Sequence, residues 1–173
     1  MFTPERLSRL RGLVLDLRIN GGGSDSLGLQ LAARLTDRPH FPYAKKTRNT
    51  APQPLRVEPA ADPFLGPIAI LTGGSTISAG ETFTQAMLER PSRTTRIGEP
   101  TQGVFSDVMQ RKLPGDRDAD WWFGLPNEEF LTSDGRTFDG PGIPPELSEP
   151  VFTDEEFAHN LDSAFDRALR WLG

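Results

Sequence analysis

IAILTGGSTISAGETF, residues 68–83, changes from a strand pattern to a helix pattern at its centre. Residues 68–72, IAILT, are almost continuously apolar, which is typical of a strand buried on both faces of a sheet. After GGSTIS a helix is predicted to begin, because apolar residues then recur on one helical face. Those residues are Ala79, Phe83, Ala86 and Met87. Ser78 therefore stands where a strand gives way to a helix, and its position raises the question of whether it performs chemistry there.

The same order of strand, glycine-rich turn and helix occurs near the start of the chain. Residues 13–17, LVLDL, form an apolar run that leads into the turn RINGGGSDS at residues 18–26. A helical stripe at intervals of four follows, formed by Leu27, Leu31 and Leu35. Alternating strands and helices predict an α/β domain in which right-handed crossovers join parallel strands. Parallel strands end at one edge of a sheet, so we expect the glycine turns at residues 21–23 and 73–74 to share one crevice.

The rest of the chain is predicted to contain shorter extended segments and a final helix. Residues 39–67 form a long proline-rich connection with one strand near residues 43–48. TTRIGEPTQG, residues 94–103, predicts a third short strand that ends in a turn. The segments that follow are separated by turn signals and are expected to be antiparallel. They are DVMQRKL, WWFGLP and EEFLT.

A C-terminal helix is predicted from a start signal and a repeating apolar pattern. Thr153 and Glu156 have the spacing of a capping box. The apolar stripe that follows predicts a helix lying across the core. This stripe consists of Phe157, Leu161, Phe165, Leu169 and Leu172.

Two further segments have structural interpretations. The aromatic cluster at residues 121–123 favours packing in the core and at its rim, with a substrate groove as the alternative. DRDAD, residues 116–120, spaces its carboxylates like a loose metal loop but lacks the glycine and distal glutamate of a calcium site. We therefore interpret DRDAD as a solvated turn.

Composition excludes several classes of protein. The 173 residues suit a single domain, residues 1–173, and the formal net charge of −5 is unlike the basic excess of nucleic-acid-binding proteins. The chain has no cysteine, so disulfides, thiolate metal sites and a cysteine nucleophile are excluded. No apolar run reaches the roughly 20 residues of a membrane span. We expect no metal, no cofactor, no nucleic-acid partner and no membrane span.

Ser78 is a candidate nucleophile because of its place at the first turn of a helix. The free N–H groups and the dipole of that turn stabilise negative charge. The backbone N–H of Ala79 and a second donor from residues 21–23 would then form an oxyanion hole. The alternative is that Ser75, Thr76 or Ser78 only caps the helix, with Glu81 as the capping-box partner.

Three motifs in one order, LVLDLRINGGG, GGSTISAGETF and RIGEPTQG, resemble the signature of the C-terminal processing peptidase family, which includes tricorn-core proteases and the retinoid-binding repeats. The resemblance runs over residues 12–145 and ends with DGRTFDGPGIPPE. It implies a crotonase-like (ClpP/crotonase) α/β core. It also implies a serine endopeptidase in which Ser78 is the nucleophile, three residues before Glu81. Ala79 with Gly22 or Gly23 would surround the oxyanion.

The matching positions lack the family's general base. Many processing peptidases use a lysine in the loop that follows GE-T-G, but Val104 stands there. Tricorn-like members use a histidine from upstream sequence, whereas the histidines here are His40 and His159, both downstream of the glycine turn. We therefore expect an upstream N-terminal domain to supply the base. Residues 1–173 would then be the C-terminal part of a longer protein, weakly active or inactive alone.

The resemblance also implies an acidic residue, a substrate class and a compartment. Asp139 occupies the place of the family's closing acidic residue and would orient the base, with Glu128 as the runner-up. The substrate would be a polypeptide, and the compartment periplasmic or secreted.

Two other functions remain open at this point. The first is a non-catalytic module that binds a peptide or an apolar ligand on the same fold, like the retinoid-binding repeats. The second is a crotonase-like enzyme that stabilises a thioester enolate with two glycine-turn N–H groups. A thioester enzyme would not require Ser78 at its spacing from Glu81, and this favours the peptidase.

Overall fold

The computed structural model describes residues 4–7, 9–90, 93–113 and 121–173. The turn expected at residues 116–120 lies outside them. None of the helices in these ranges has the length and apolar character needed to cross a membrane. The elements of the described part, in chain order, are α1 (Pro4–Leu7), β1 (Leu13–Asp16), α2 (Asp25–Ala33), β2 (Ala44–Lys46), β3 (Gln53–Pro54), β4 (Ile68–Thr72), α3 (Ala79–Ala86), β5 (Thr94–Gly98), β6 (Val108–Lys112), β7 (Trp122–Pro126), β8 (Glu129–Leu131), β9 (Leu147–Ser148), α4 (Asp154–His159) and α5 (Ser163–Leu172).

The main sheet contains four parallel strands in the order β1-β4-β5-β9. Every residue of β4 is buried, so the strand predicted from IAILT is confirmed. Ile68 and Ile70 pack with α2 and α3 on one face of the sheet. Ala69 and Leu71 pack with α5 on the other face. Because successive side chains of a strand point to opposite faces, two covered faces require an apolar residue at nearly every position.

Helices α2 and α3 follow the two glycine turns and pack against each other over the sheet. Every residue of α3 is buried, including Ala79 and Phe83 of the predicted apolar face. The leucine stripe predicted for α2 is only partly in the core. Leu35 is buried just beyond the end of the helix, whereas Leu27 is 64% exposed. The amino end of α2 therefore borders an open cleft.

The C-terminal segment differs from its prediction in two respects. It forms two helices, because Asn160 ends α4 in a left-handed conformation with φ of 52°. The predicted apolar stripe does not lie in the core, since Phe157 and Leu169 are 69% and 49% exposed. Ala164 and Ala168 face the sheet instead. Small side chains let α5 approach the sheet closely, with Trp171 packed beside them, whereas Phe165 and Leu169 of the predicted stripe remain exposed.

Arg18 accounts for this orientation of α5. Its guanidinium is buried at the end of β1 and forms ion pairs with Asp16 at 2.7 Å and with Asp162 at 2.6 Å. Asp162 also caps α5 by accepting the N–H of Phe165 at 3.0 Å. The helix start is thus fixed over β1 by a charged network, and this network selects the face that α5 presents to the sheet.

The remaining strands are antiparallel, as predicted. One sheet has the order β3-β2-β8, and β6 pairs with β7 in a separate ribbon. The core packing expected for the aromatic cluster is wrong, because Trp121 and Trp122 are 67% and 60% exposed. Every residue of β6 and of β7 is exposed.

Candidate active site

Ser78 lies at the amino end of α3 in a strained backbone conformation. Its φ and ψ are 53° and −116°, and it is the N-cap residue of the helix. A positive φ is uncommon for a residue with a β-carbon and costs about 1–3 kcal/mol, a strain that clusters at functional sites. The Ser78 side chain approaches the Glu81 N–H as in a capping box but forms no capping hydrogen bond. That N–H donates to the Ser78 carbonyl oxygen at 2.8 Å, so the hydroxyl is not consumed by capping.

Glu81 supports this conformation from inside the core. Its side chain is completely buried. Oε2 accepts the backbone N–H of Ser78 at 3.0 Å and that of Val104 at 2.9 Å, while Oε1 accepts the N–H of Gly103 at 2.7 Å. One carboxylate therefore joins the backbone of the serine to the loop that follows β5. Sequence reasoning assigned Glu81 only the first of these three contacts.

The triple-glycine turn lies directly against Ser78. A β-carbon at Gly22 would lie 2.9 Å from Cβ of Ser78 and 3.3 Å from its Oγ, and φ of Gly22 is +98°. Only glycine fits this position, both for space and for backbone conformation. The glycine turn after β1 therefore contacts the residues that follow Gly73 and Gly74, at Ile77 and Ser78.

Thr76 fixes the end of β4 beside the end of β1. Its hydroxyl donates to the carbonyl oxygen of Leu17 at 2.8 Å and accepts the N–H of Gly73 at 3.1 Å. The side chain is fully buried. Thr76 therefore holds the two strand ends, and with them the two turns, in register.

Backbone N–H groups around Ser78 divide into occupied and free donors. The N–H of Gly22 donates to Oδ1 of Asn20 at 3.0 Å and is occupied. The N–H groups of Gly23 and Ala79 donate to no acceptor within the described residues. Ala79 is the first residue of α3, where helical N–H groups lack an internal partner. Of the two glycines considered from the sequence, Gly23 is thus the one with an available donor.

A cavity of about 330 Å³ opens beside these donors. Gly22, Gly23, Ala79 and Gly80 contribute backbone to its wall, and the side chains around it are mainly apolar. These apolar side chains are Leu17, Leu27, Leu31 and Phe83. Among the described residues, no charged side chain lines it, so the cavity suits an apolar group attached to a polar backbone.

The two candidate acids lie on the far side of the loop that Glu81 binds. Asp139 is exposed, and its Oδ1 accepts the N–H of Phe105 at 3.1 Å. The adjacent Gly140 donates its N–H to the carbonyl oxygen of Gly103 at 2.8 Å. No hydrogen bond or ion pair joins Asp139 or Glu128 to Ser78 in the described part of the chain. The structure therefore brings Asp139 to the neighbouring loop without a direct contact to the serine.

Neither histidine lies beside Ser78. Nε2 of His40 is hydrogen-bonded to the carbonyl oxygen of Ala86, at 2.9 Å, at the other end of α3. Eight helical residues separate that end from Ser78, which corresponds to about 12 Å. Nδ1 of His159 is hydrogen-bonded to the carbonyl oxygen of Glu155 within α4. Val104, at the family's lysine position, contributes only its backbone N–H to Glu81.

Lys45, which sequence reasoning did not single out, forms the main charged cluster near α3. Its Nζ lies 2.8 Å from Asp25, 2.6 Å from Asp107 and 3.6 Å from Glu128. Asp25 also accepts the hydroxyl proton of Thr82 at 2.8 Å, one turn after Ser78. The five residues are far apart in sequence, so only the folded chain brings them together.

This cluster keeps Lys45 charged. Burial by itself lowers the pKa of Lys45, but hydrogen bonds and charges from Asp107 and Asp25 outweigh it and raise the pKa above its usual value. Burial and a hydrogen bond with Asp107 raise the pKa of Glu128. A lysine base must be neutral to take a proton, so Lys45 is unsuited to that role. The described residues contain no group of three or more acidic or histidine side chains placed to hold a metal ion.

Comparison with known proteins gives these observations a context. The family model described as Peptidase family S41 matches residues 4–148. A putative peptidase from Parabacteroides merdae has a similar structure, with a TM-score of 0.83 and 23% identity, covering 95% of this chain and 53% of its own. Mature CPAF complexed with lactacystin gives a TM-score of 0.75 at 15% identity, covering 96% and 43%. The photosystem II D1 C-terminal processing protease gives a TM-score of 0.67 at 22% identity, and the match covers 85% of this chain and 37% of that protease.

At these identities the likeness to the three structures shows a shared fold, a mixed α/β domain with a parallel sheet. The chain spans about half the length of the first of them and less of the other two. The comparison with curated protein sequences finds no match.

Proposed function

The chain belongs to peptidase family S41, and on that premise we propose that it is the catalytic part of a serine endopeptidase of the C-terminal processing type. Ser78 would attack a peptide carbonyl carbon of a polypeptide substrate and form an acyl-enzyme. The observation that carries this proposal is the contact between the strained Ser78 and the Gly22 turn, with two free N–H donors beside it. We also propose that its α/β fold is of the crotonase-like type.

The proposed reaction uses the free donors to stabilise its intermediate. As Ser78 Oγ bonds to the carbonyl carbon, its proton passes to the general base and the carbonyl oxygen becomes an oxyanion. The N–H groups of Ala79 and Gly23 would donate to this oxyanion, and removal of one such donor typically costs about 10²- to 10³-fold in rate. The base then protonates the departing amine, and water later releases the acyl group by the reverse sequence. The dipole of α3 adds a favourable potential at the same place.

The general base in this proposal comes from an N-terminal domain outside the present chain. Three findings support an external source: the distance of His40 from Ser78, the packing of His159 in α4, and the charged state of Lys45. Asp139 would orient that base from the loop beside Gly103. Its exposure supports this role, because an exposed carboxylate is open to a partner from another domain.

The apolar cavity indicates which residue the enzyme would accept next to the cleaved bond. It adjoins Gly23 and Ala79, whose N–H groups would hold the carbonyl oxygen of that residue. The side chain of the residue would enter between Leu27, Leu31 and Phe83. We therefore propose that an apolar side chain precedes the scissile bond.

A fluorophosphonate probe, which reacts with activated serines, tests this proposal. The protein should be labelled once per chain, at Ser78, in a form that includes any preceding domain, and residues 1–173 alone should react weakly or not at all. Ser78→Ala should abolish labelling and peptide cleavage. Ser75→Ala, which changes an exposed serine in the same turn, should leave both intact. Labelling at Ser75, or none in any form, would contradict the proposal.

A non-catalytic binding module is the second candidate. One observation favours it, namely that no acidic or basic side chain in the described part of the chain forms a hydrogen bond with the Ser78 hydroxyl, since Glu81 binds only the backbone N–H of Ser78. Under this alternative the longer protein binds an apolar peptide in the cavity but is never labelled by the probe. A thioester enzyme has less support, because it gives no role to the strained backbone of Ser78.

A further inference from the structure

Asn20 occupies the centre of the contact between the two turns. Its backbone N–H donates to the carbonyl oxygen of Leu17 at 2.9 Å, which closes the turn after β1. Its carbonyl oxygen accepts the N–H of Ile77 at 2.9 Å, next to Ser78. The backbone of Asn20 therefore joins the glycine turn to the segment that carries the serine.

The side-chain amide of Asn20 has one fixed end and one free end. Oδ1 accepts the N–H of Gly22 at 3.0 Å. Because an N–H can only donate, this contact decides which end of the amide is oxygen. Nδ2 carries two donors and has no hydrogen-bond partner among the described residues. The backbone N–H, the carbonyl oxygen and Oδ1 of Asn20 each form a hydrogen bond, so Nδ2 is the one polar atom of this residue that stabilises no contact among the described residues.

Asn20 belongs to the cavity wall. Asn20 is half-buried and lines the same cavity as Gly23 and Ala79. Gly80 leaves room for it, since a β-carbon at Gly80 would lie 2.9 Å from Oδ1 and 3.2 Å from Cγ of Asn20. A cavity lined mainly by apolar side chains thus has in its wall an amide whose orientation is set by the N–H of Gly22.

We propose that Nδ2 of Asn20 donates a hydrogen bond to a backbone carbonyl oxygen of the polypeptide that occupies this cavity. The proposal deepens the proposed peptidase function and rests on it for the identity of the occupant. A peptide carbonyl fits because it is a neutral acceptor that accompanies an apolar side chain. Asn20 would then be a substrate-binding residue that also selects Gly23 over Gly22 as an oxyanion donor, by occupying the N–H of Gly22.

Asn20→Asp separates the two roles of the side chain. Aspartate keeps an acceptor for the Gly22 N–H but has no donor when ionised. Asn49→Asp is the charge-matched control, because Asn49 is an exposed residue in a turn. Both changes are made in a Ser78→Ala background of the longest form of the protein, so that peptide binding is measured without turnover. The probe is a fluorescein-labelled octapeptide of alanine and leucine, followed by fluorescence polarisation.

At neutral pH we expect Asn20→Asp to raise the Kd of the peptide about tenfold, the effect of one lost hydrogen bond. The thermal midpoint should stay near that of the parent, and Asn49→Asp should not change Kd. Below about pH 4 the carboxyl group becomes protonated and regains a donor, so the difference from the parent should shrink. An unchanged Kd, or no peptide binding by the Ser78→Ala parent, would overturn the inference. Failure of the peptidase proposal appears separately, as absence of probe labelling at Ser78.

Discussion

The carboxylate of Glu81 accepts the backbone N–H of Ser78 at 3.0 Å from a completely buried position. The same carboxylate accepts the N–H groups of Gly103 and Val104. In the sequence Ser78 and Glu81 belong to SAGE, residues 78–81, whereas Gly103 and Val104 end the separate stretch GEPTQGV, residues 98–104. The structure joins them through one side chain, so the backbone strain at Ser78 is held by contacts from both motifs.

Replacement of Glu81 by glutamine should release this strain. Glutamine keeps one acceptor oxygen but places an NH₂ group against backbone N–H donors, so at least one donor is left unpaired in the core. We expect the free energy of unfolding to fall by about 2 kcal/mol in urea titration. Displacement of the serine should slow probe labelling about 100-fold. Glu89→Gln, at an exposed glutamate just beyond α3, should change neither quantity. Normal labelling of Glu81→Gln would show that the carboxylate is dispensable.

Gly22→Ala should block the site without disturbing the rest of the sheet. Its β-carbon would lie 2.9 Å from Cβ of Ser78, and its φ of +98° is unfavourable for alanine. We expect labelling of Ser78 to fall by about 100-fold or more. Gly21→Ala is a matched control, because nothing lies within 4 Å of a β-carbon there. Equal labelling of the two variants would argue against the close contact between the turn and Ser78.

The pair of Arg18 and Asp162 should make stability depend on acid pH. The hydrogen bond from Arg18 is the largest cause that lowers the pKa of Asp162 below its usual value, against the opposite effect of burial. A carboxyl group whose folded pKa is lowered stabilises the fold above its unfolded pKa of about 4 and loses that contribution as pH falls towards the folded value.

Asp162→Asn should therefore reduce the slope of unfolding free energy against pH below about pH 4, and it should lower stability at neutral pH. Chemical denaturation at a series of pH values measures both effects. Asp166→Asn, at an exposed position one turn further along α5, should retain the slope of the parent. The prediction fails if Asp162→Asn and the parent lose stability in parallel on acidification.

Features encoded over short stretches could be predicted from the sequence. The apolar run of β4, the glycine turns and the placement of Ser78 before α3 each depend on a few neighbouring residues. The contact between the turn after β1 and the residues that lead into α3 also followed, because parallel strands end at one edge of a sheet. The parts of the site that depend on residues close together in the sequence could therefore be predicted.

Features that depend on competition between distant groups could not be predicted. The apolar stripe of the C-terminal segment has the right spacing for a core helix, but Arg18 binds Asp162 and turns the small face of α5 inward. The N–H of Gly22 is occupied by a hydrogen bond to Asn20 that forms only after folding. Periodicity contains no information about either contact.

Lys45 should be essential for stability at neutral pH, since it is the cation that Asp25, Asp107 and Glu128 share. Lys45→Met leaves these partly buried carboxylates near one another without a counter-charge, and its cost should lie between the roughly 1 kcal/mol of an exposed ion pair and the about 3 kcal/mol of a broken buried one. In this variant the folded state raises the pKa of the carboxyl groups, so protonation favours folding. The difference in the free energy of unfolding between the parent and Lys45→Met should therefore shrink as pH falls from 7 towards about 4.

Lys46→Met provides the matched control for this prediction. Lys46 is the next residue of β2, is more exposed, and forms an ion pair with Glu129 at 3.1 Å. Exposed ion pairs typically contribute about 0–1 kcal/mol, so this variant should unfold almost like the parent at each pH. Urea titration at pH 7 and at pH 4 compares the two variants. A deficit for Lys45→Met that is as small as that of Lys46→Met, or that grows on acidification, would contradict the role of Lys45 as the shared cation.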